Sequence, residues 1–231
     1  MSIAIVASNR DYSILIKRLE ELLPNVVVEV YPNISDPEKV QMALAWYNQQ
    51  GVWTEFPNLE LISSLGAGVD HLIFDKTLPN IPVSRIVDVE LAKEMRLFAT
   101  MASLNYYKNL YYYLDQRQKN KWDNDKSLFR TLTVGVLGLG ELGKDIASHL
   151  AQLGISVYGY SRTPKTIKDV ECFSETKSEL DAFLAKTNIL ICVLPLTPNT
   201  KEILDLSIFK KLKKPAFLVN VGRGLQLNEA D

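Results

Sequence analysis

The chain has 231 residues, 47% of them hydrophobic and 23% charged, with a formal net charge of -1. These values fit a globular protein of one large or two modest domains, and a balanced charge gives no ground for a nucleic-acid partner. No apolar run reaches the roughly eighteen residues of a membrane span, and MSIAIVASNRD opens without a basic leader, so a cytoplasmic protein is expected.

Ile3–Ala7 reads as a buried strand, and Leu15, Leu19, Leu22 and Leu23 fall on one face of a helix that Pro24 closes. Strands are expected at Val26–Tyr31, Met42–Trp46 and Leu59–Ser64, the last running into the turn Gly66-Ala67-Gly68. Strands alternating with helices imply a parallel sheet covered on both faces. This first α/β domain is expected to end near Asp88.

One long helical segment is expected from Val89 to about Trp122, its apolar positions being Leu91, Met95, Phe98, Met101, Ala102 and Leu104. Its second half, YYKNLYYYLDQRQ, is rich in tyrosine. A helix apolar on more than one side suits either a homodimer interface or packing on its own domain. A second α/β unit is expected from Thr131, with strands at Thr133–Leu137, Ile155–Tyr160, Ile189–Leu194 and Ala216–Asn220 and helices in the gaps. Its first helix spans Leu142–Leu153, with Gly154 placed to cap it. Cys172 and Cys192 sit among apolar neighbours and read as packing thiols, with no metal site implied.

The strand TVGVL leads directly into Gly138-Leu139-Gly140-Glu141-Leu142-Gly143. A GxGxxG that follows a strand, opens a helix and precedes a second strand has the context of a dinucleotide site. Gly138 permits the turn, Gly140 admits the pyrophosphate to backbone N–H groups, and Gly143 lets helix and strand pack; a glycine turn kept for packing alone is the other reading. At the end of the second strand an NAD site usually has Asp or Glu. Here stand Ser161, Arg162, Thr163 and Lys165. Arg162 offers a planar fork to a 2′-phosphate, with Lys165 as a second charge and Ser161 as a neutral donor. NADP(H) is therefore expected in preference to NAD(H), unless the two cations are a solvated pair on a loop.

Together ISSLGAGVDHL, TVGVLGLGELG, YSRTPK, CVLPLTPNT and VNVGRGLQLNEAD resemble the D-2-hydroxyacid dehydrogenases, most of all their glyoxylate/hydroxypyruvate reductase A branch. The resemblance implies two parallel-sheet domains. Residues 1–88 would be a flavodoxin-like substrate (lid) domain without its C-terminal return segment, and 89–231 an incomplete Rossmann NAD(P)-binding domain. It implies that backbone N–H groups of Leu65, Gly66, Ala67 and Gly68 hold the substrate carboxylate, and that Arg223 of Val-Gly-Arg-Gly is the active-site arginine for a small 2-oxo acid. Leu194, Pro195, Thr197 and Thr200 would line the cofactor pocket, and Trp46 would be a pocket tryptophan or else a core aromatic. Leu97 stands where the branch usually has Glu, and Lys108 and Asn109 where it has paired arginines. The family's proton-donating histidine and its glutamate follow the VGRG motif, whereas this chain ends at Asp231 and its histidines are His71 and His149. Neither matches the donor, and His149 is expected at the surface. The chain by itself is therefore expected to be inactive and marginally folded, its Ala216–Asn220 strand uncovered; a non-catalytic NAD(P)-binding or heteromer-forming role is the alternative.

Overall fold

The computed structural model describes residues 1–7, 10–122, 132–174 and 176–231. The expected start of the second α/β segment at Thr131 lies outside them. The chain divides into two compact units, Met1–Asp88 and Val89–Asp231.

In the first unit, β1 (Ser2–Ala7), β2 (Val27–Val30), β3 (Val40–Trp46), β4 (Leu61–Ser64) and β5 (Val83–Arg85) form one sheet in the order β2-β1-β3-β4-β5. Every pairing is parallel. A strand buried on both faces reads as a continuous apolar run, and Ile3, Ala4, Ile5 and Val6 are all buried. One face carries α1 (Ser13–Leu22) through Leu15, Ile16 and Leu19. The other covers Trp53, Phe56, Ile62 and Leu72, the last from α2 (Asp70–Ile73). Leu22 and Leu23, expected on the buried stripe of α1, are exposed, and Ile16 takes that place. The sheet lies beside only the first two turns of that stripe. Strand β5 has no counterpart among the expected strands: it is three residues long and none of them is buried, so hydrophobic periodicity leaves no mark there.

The second unit opens with two helices, α3 (Val89–Tyr107) and α4 (Leu110–Gln118), not with one. The break is at Asn109, whose φ of 55° is a left-handed conformation that Asn tolerates and a continuous helix does not. The buried stripe of α3 is Ala99, Ala102, Ser103 and Tyr106, at i, i+3, i+4 and i+7. Leu91, Phe98 and Met101, apolar positions of the expected helix, are exposed. When a helix is apolar on several sides, periodicity cannot choose the face, and small residues win where the helix must approach closely. The hydroxyl of Ser103 donates to the Ala99 carbonyl at 2.8 Å, which satisfies it inside the core.

Strands β6 (Thr133–Leu137), β7 (Ser156–Ser161), β8 (Val170–Ser174), β9 (Ile189–Cys192) and β10 (Phe217–Asn220) pair in the order β10-β9-β6-β7-β8, all in parallel. Read from the other edge this is 3-2-1-4-5, five of the six strands of the 3-2-1-4-5-6 dinucleotide-binding sheet. The helices α5 (Glu141–Gln152), α6 (Lys177–Lys186) and α7 (Leu206–Lys211) fill connections. Strand β8 occupies a gap expected to hold only helix. Its pattern is mostly half-buried, too weak to read from VECFS. Gly154 ends α5 with φ of 77°, the left-handed C-terminal cap that its sequence position implied. Strand β10 is not laid bare: Val219 is buried, Phe217 and Leu218 are half-buried, and the Tyr106 ring stacks on Phe217 at 4.6 Å. His149 is half-buried on α5 rather than a surface residue.

Candidate functional site

In the second sheet the chain reverses its order between β6 and β9, and ligands of such sheets lie outside the strand ends at that point. The residues there are Gly138–Gly143 after β6 and Leu194–Thr200 after β9. Gly138 has φ of 105°, and a Cβ on it would also press Val193 and Leu194 at 3.1–3.2 Å. At Gly143 a Cβ would stand 1.8 Å from the Gly138 carbonyl oxygen, so only glycine lets α5 begin this close to the loop. Gly140, the N-cap of α5, differs from both: a Cβ there meets no atom within 4 Å. No contact within the chain demands glycine at that position, and the open space beside its backbone would admit a ligand. Glu141 is exposed and Leu142 half-buried in the first turn of α5. That turn's amides lack intrahelical acceptors and face the loop with the positive end of the helix dipole. Leu139 is turned into the core, only 3% exposed, with Gly159 of β7 leaving room for it. It contributes backbone alone.

At the end of β7, Ser161 is buried and its hydroxyl donates to the Thr163 carbonyl at 2.7 Å. The proton expected for a ligand closes the turn instead, and the oxygen is left as an acceptor. Arg162, Thr163 and Lys165 are exposed on that turn. Among the described residues no carboxylate pairs with Arg162 or Lys165. In the loop after β9, Thr200 organises the backbone: its hydroxyl donates to the Pro195 carbonyl at 2.6 Å and accepts from the Thr197 amide at 2.8 Å. Leu194 is half-buried and Pro195 exposed.

Arg223 follows β10. Its guanidinium donates to the Gly222 carbonyl at 3.1 Å, and its amide donates to Gln226 Oε1 at 2.8 Å. Gln226 is fully buried and its Nε2 donates to the Leu194 carbonyl at 2.9 Å. One side chain therefore ties the arginine turn to the loop after β9. Asn220 completes the turn, accepting from the Gly222 amide and donating to the Arg223 carbonyl, each at 3.0 Å. Neither was singled out in the sequence, although a glutamine between Leu225 and Leu227 is the kind of polar intrusion that marks a buried tie. Burial pushes the thiol of Cys192, beside Gln226, above its ordinary value. Burial does the same for Cys172, the direction that suits thiols serving packing. Among the described residues no group of three or more His, Cys, Asp or Glu gathers to hold a metal, and no helix is long and apolar enough to cross a membrane.

The remaining expected residues belong to the first unit. Leu65, Gly66, Ala67 and Gly68 form the half-buried loop after β4. The Ser64 hydroxyl donates to the Gly68 carbonyl at 2.8 Å and pins the loop. A Cβ on Gly66 would strike the Trp46 ring at 2.3 Å, so the indole lies directly on the loop backbone. Trp46 is half-buried and meets the rings of Tyr47 and His71 edge-on at 5.0 and 5.1 Å.

Residues 100–231 match the family profile described as D-isomer specific 2-hydroxyacid dehydrogenase, NAD binding domain. A glyoxylate/hydroxypyruvate reductase A of Yersinia enterocolitica is 33% identical over 220 residues, which are 92% of this chain and 70% of that protein. Among solved structures, a D-isomer specific 2-hydroxyacid dehydrogenase from Xanthobacter autotrophicus Py2 in complex with NADPH and MES superposes with a TM-score of 0.89 at 32% identity, over 99% of this chain and 74% of that one. An NADPH-dependent glyoxylate/hydroxypyruvate reductase from Sinorhizobium meliloti, in complex with NADP and sulfate, gives 0.84 at 29% identity, over 100% and 75%.

Proposed function

The chain belongs to the D-isomer specific 2-hydroxyacid dehydrogenases, a family of NAD(P)-dependent oxidoreductases, and from that premise we propose that it binds NADP(H) in preference to NAD(H) for the reduction of glyoxylate or hydroxypyruvate. The observation that carries the reading is the glycine loop at the strand-order reversal. Two of its glycines are demanded by the fold, and the third, Gly140, is open to a ligand. When bound, the nicotinamide supplies the hydride. The residues of the chain do the rest that we assign: the Gly138–Gly143 backbone and the start of α5 hold the pyrophosphate, and Leu194, Pro195, Thr197 and Thr200 line the pocket. Arg162 and Lys165 face the 2′-phosphate, where exposed guanidinium and ammonium groups suit a dianion and an NAD(H) hydroxyl gains nothing from them. Relatives solved with NADPH or NADP support the same choice.

Arg223 is assigned to the carboxylate and carbonyl of the 2-oxo acid. Its main chain is held at the turn by Gln226 and Asn220, and a charge-assisted contact from its guanidinium contributes roughly 1.5–3 kcal/mol. The loop Leu65–Gly68 is assigned to the substrate carboxylate through its amides, and Trp46 to the wall beside that loop. We assign the proton of the new hydroxyl to neither His71 nor His149. Titrating the chain with NADPH and NADH and following nicotinamide fluorescence tests the cofactor assignment: NADPH should bind at least about tenfold more tightly, and equal affinities sink it.

A homodimer through residues 89–122 is the second part of the proposal. On α3, Leu91, Phe98 and Met101 are 37%, 49% and 51% exposed and share one stripe at i, i+7 and i+10. Leu110, Tyr111, Tyr113 and Leu114 are exposed on α4. Apolar side chains grouped on exposed helix faces suit a subunit interface. Phe98→Asp with Met101→Asp should convert a dimer to monomer in light scattering without lowering the melting temperature of the monomeric unit.

A further inference from the structure

The first unit holds a cavity of about 270 Å³ walled by Arg10, Tyr12, Leu15, Trp46, Leu65 and Gly66. Its place follows from topology. Strands β1 and β3 are the neighbours at which the order β2-β1-β3-β4-β5 reverses, and Ala7 pairs with Trp46 at their carboxyl ends. That crevice is where an open parallel sheet binds ligands. The Trp46 ring, set on Gly66 and braced by two neighbouring rings, makes a firm apolar wall, and Leu15 and Leu65 extend it.

Arg10 is the charged residue of the lining. It is exposed, and among the described residues no carboxylate pairs with it. A guanidinium, apolar walls and the backbone of the Leu65–Gly66 loop line the same space, a combination that suits a molecule with more than one anionic group. We infer that Arg10 is a specificity-determining residue that widens the substrate range beyond glyoxylate and hydroxypyruvate, to 2-oxo acids carrying a second anionic group at the end remote from the reacting carbonyl. The inference rests on the assignment of Leu65–Gly68 to the substrate carboxylate.

Calorimetry on the full chain saturated with NADPH, using the unreactive D-malate and D-2-hydroxybutyrate as probes, tests it. Malate should bind about tenfold more tightly at low salt. The gap should shrink in 0.5 M salt, because an exposed charge is screened. In Arg10→Gln the gap should fall below about twofold with 2-hydroxybutyrate affinity and melting temperature unchanged, and Arg10→Lys should restore part of it. If 2-hydroxybutyrate binds and malate has no advantage, or if the advantage survives Arg10→Gln, the inference is wrong and the loop assignment stands. If neither acid binds, the loop assignment fails and takes the inference with it.

Discussion

The two units solve the same topological problem with different materials. Both are parallel sheets with one reversal of strand order, and both leave a crevice at the carboxyl ends of the strands where it occurs. In the second unit backbone builds the crevice: a Cβ on Gly138 or Gly143 would stand within 3.3 Å of other main chain, and a buried glutamine ties two loops by their carbonyl and amide. In the first unit side chains build it, an indole on Gly66 and an arginine at the rim. Backbone cradles suit a ligand whose recognised part does not vary, such as a pyrophosphate. Side-chain walls suit the part that differs between substrates, because they change by single substitutions without disturbing the sheet.

The largest effect should come from Gly143→Ala. With backbone 1.8 Å from the new methyl, the start of α5 must move, at a cost of about 3 kcal/mol or more, seen as a large loss in urea midpoint or failure to fold. Gly140→Ala is its control. It should change stability by no more than about 1 kcal/mol and still weaken NADPH binding at least about tenfold. If both variants lose only stability, the glycines serve packing and the cradle reading is wrong.

Gln226→Met keeps the volume but strands the Leu194 carbonyl and the Arg223 amide. At about 1–3 kcal/mol per orphaned group it should lower the melting temperature clearly, and it should weaken substrate binding more than NADPH binding because Arg223 loses its anchor.

In the first unit the buried carboxyl of Asp75 gives a pH signature. Burial alone would raise it, but hydrogen bonds from the Thr77 hydroxyl and amide, the Trp53 indole and the Asn48 amide outweigh burial and hold it below 3.8. A depressed folded value means that its contribution is full above the unfolded value near 3.8 and is lost as pH falls through the folded one. Melting followed from pH 6 to pH 2 should therefore show a fall below about 4, and Asp75→Asn should lower stability at pH 6 and flatten that fall. An unchanged acid profile in the variant contradicts the assignment. The smallest effect is expected from Arg162→Ala, a loss of about tenfold in NADPH affinity with NADH and the melting temperature untouched.

The sequence reading was strongest where local chemistry and tertiary structure agree. The buried runs IAIVA and TVGVL are strands, the glycine spacing places a loop at the reversal of the sheet, and Gly154 caps α5. It was weakest where a partner far along the chain decides. The buried stripe of α3 is not legible in the sequence, because Ala99 and Ser103 look unremarkable until the strands beneath them are known. The helix break at Asn109 is a single backbone conformation inside an otherwise helical pattern. Ser161 looked like a donor to ligand, and only its distance from the Thr163 carbonyl shows where the proton goes. Gln226 acts through main-chain groups of residues 194 and 223, which leave no pattern in the sequence.

The central claim is that the reversal point of the second sheet is an NADP(H) site whose open glycine belongs to the ligand. Fluorescence titration of NADPH and NADH into the chain and into Gly140→Ala tests it most directly. The account predicts tight NADPH binding, NADH weaker by at least about tenfold, and loss of NADPH affinity in a variant that melts as the parent does. No binding of either nucleotide, equal binding of both, or a Gly140→Ala chain that binds as well as the parent would contradict it.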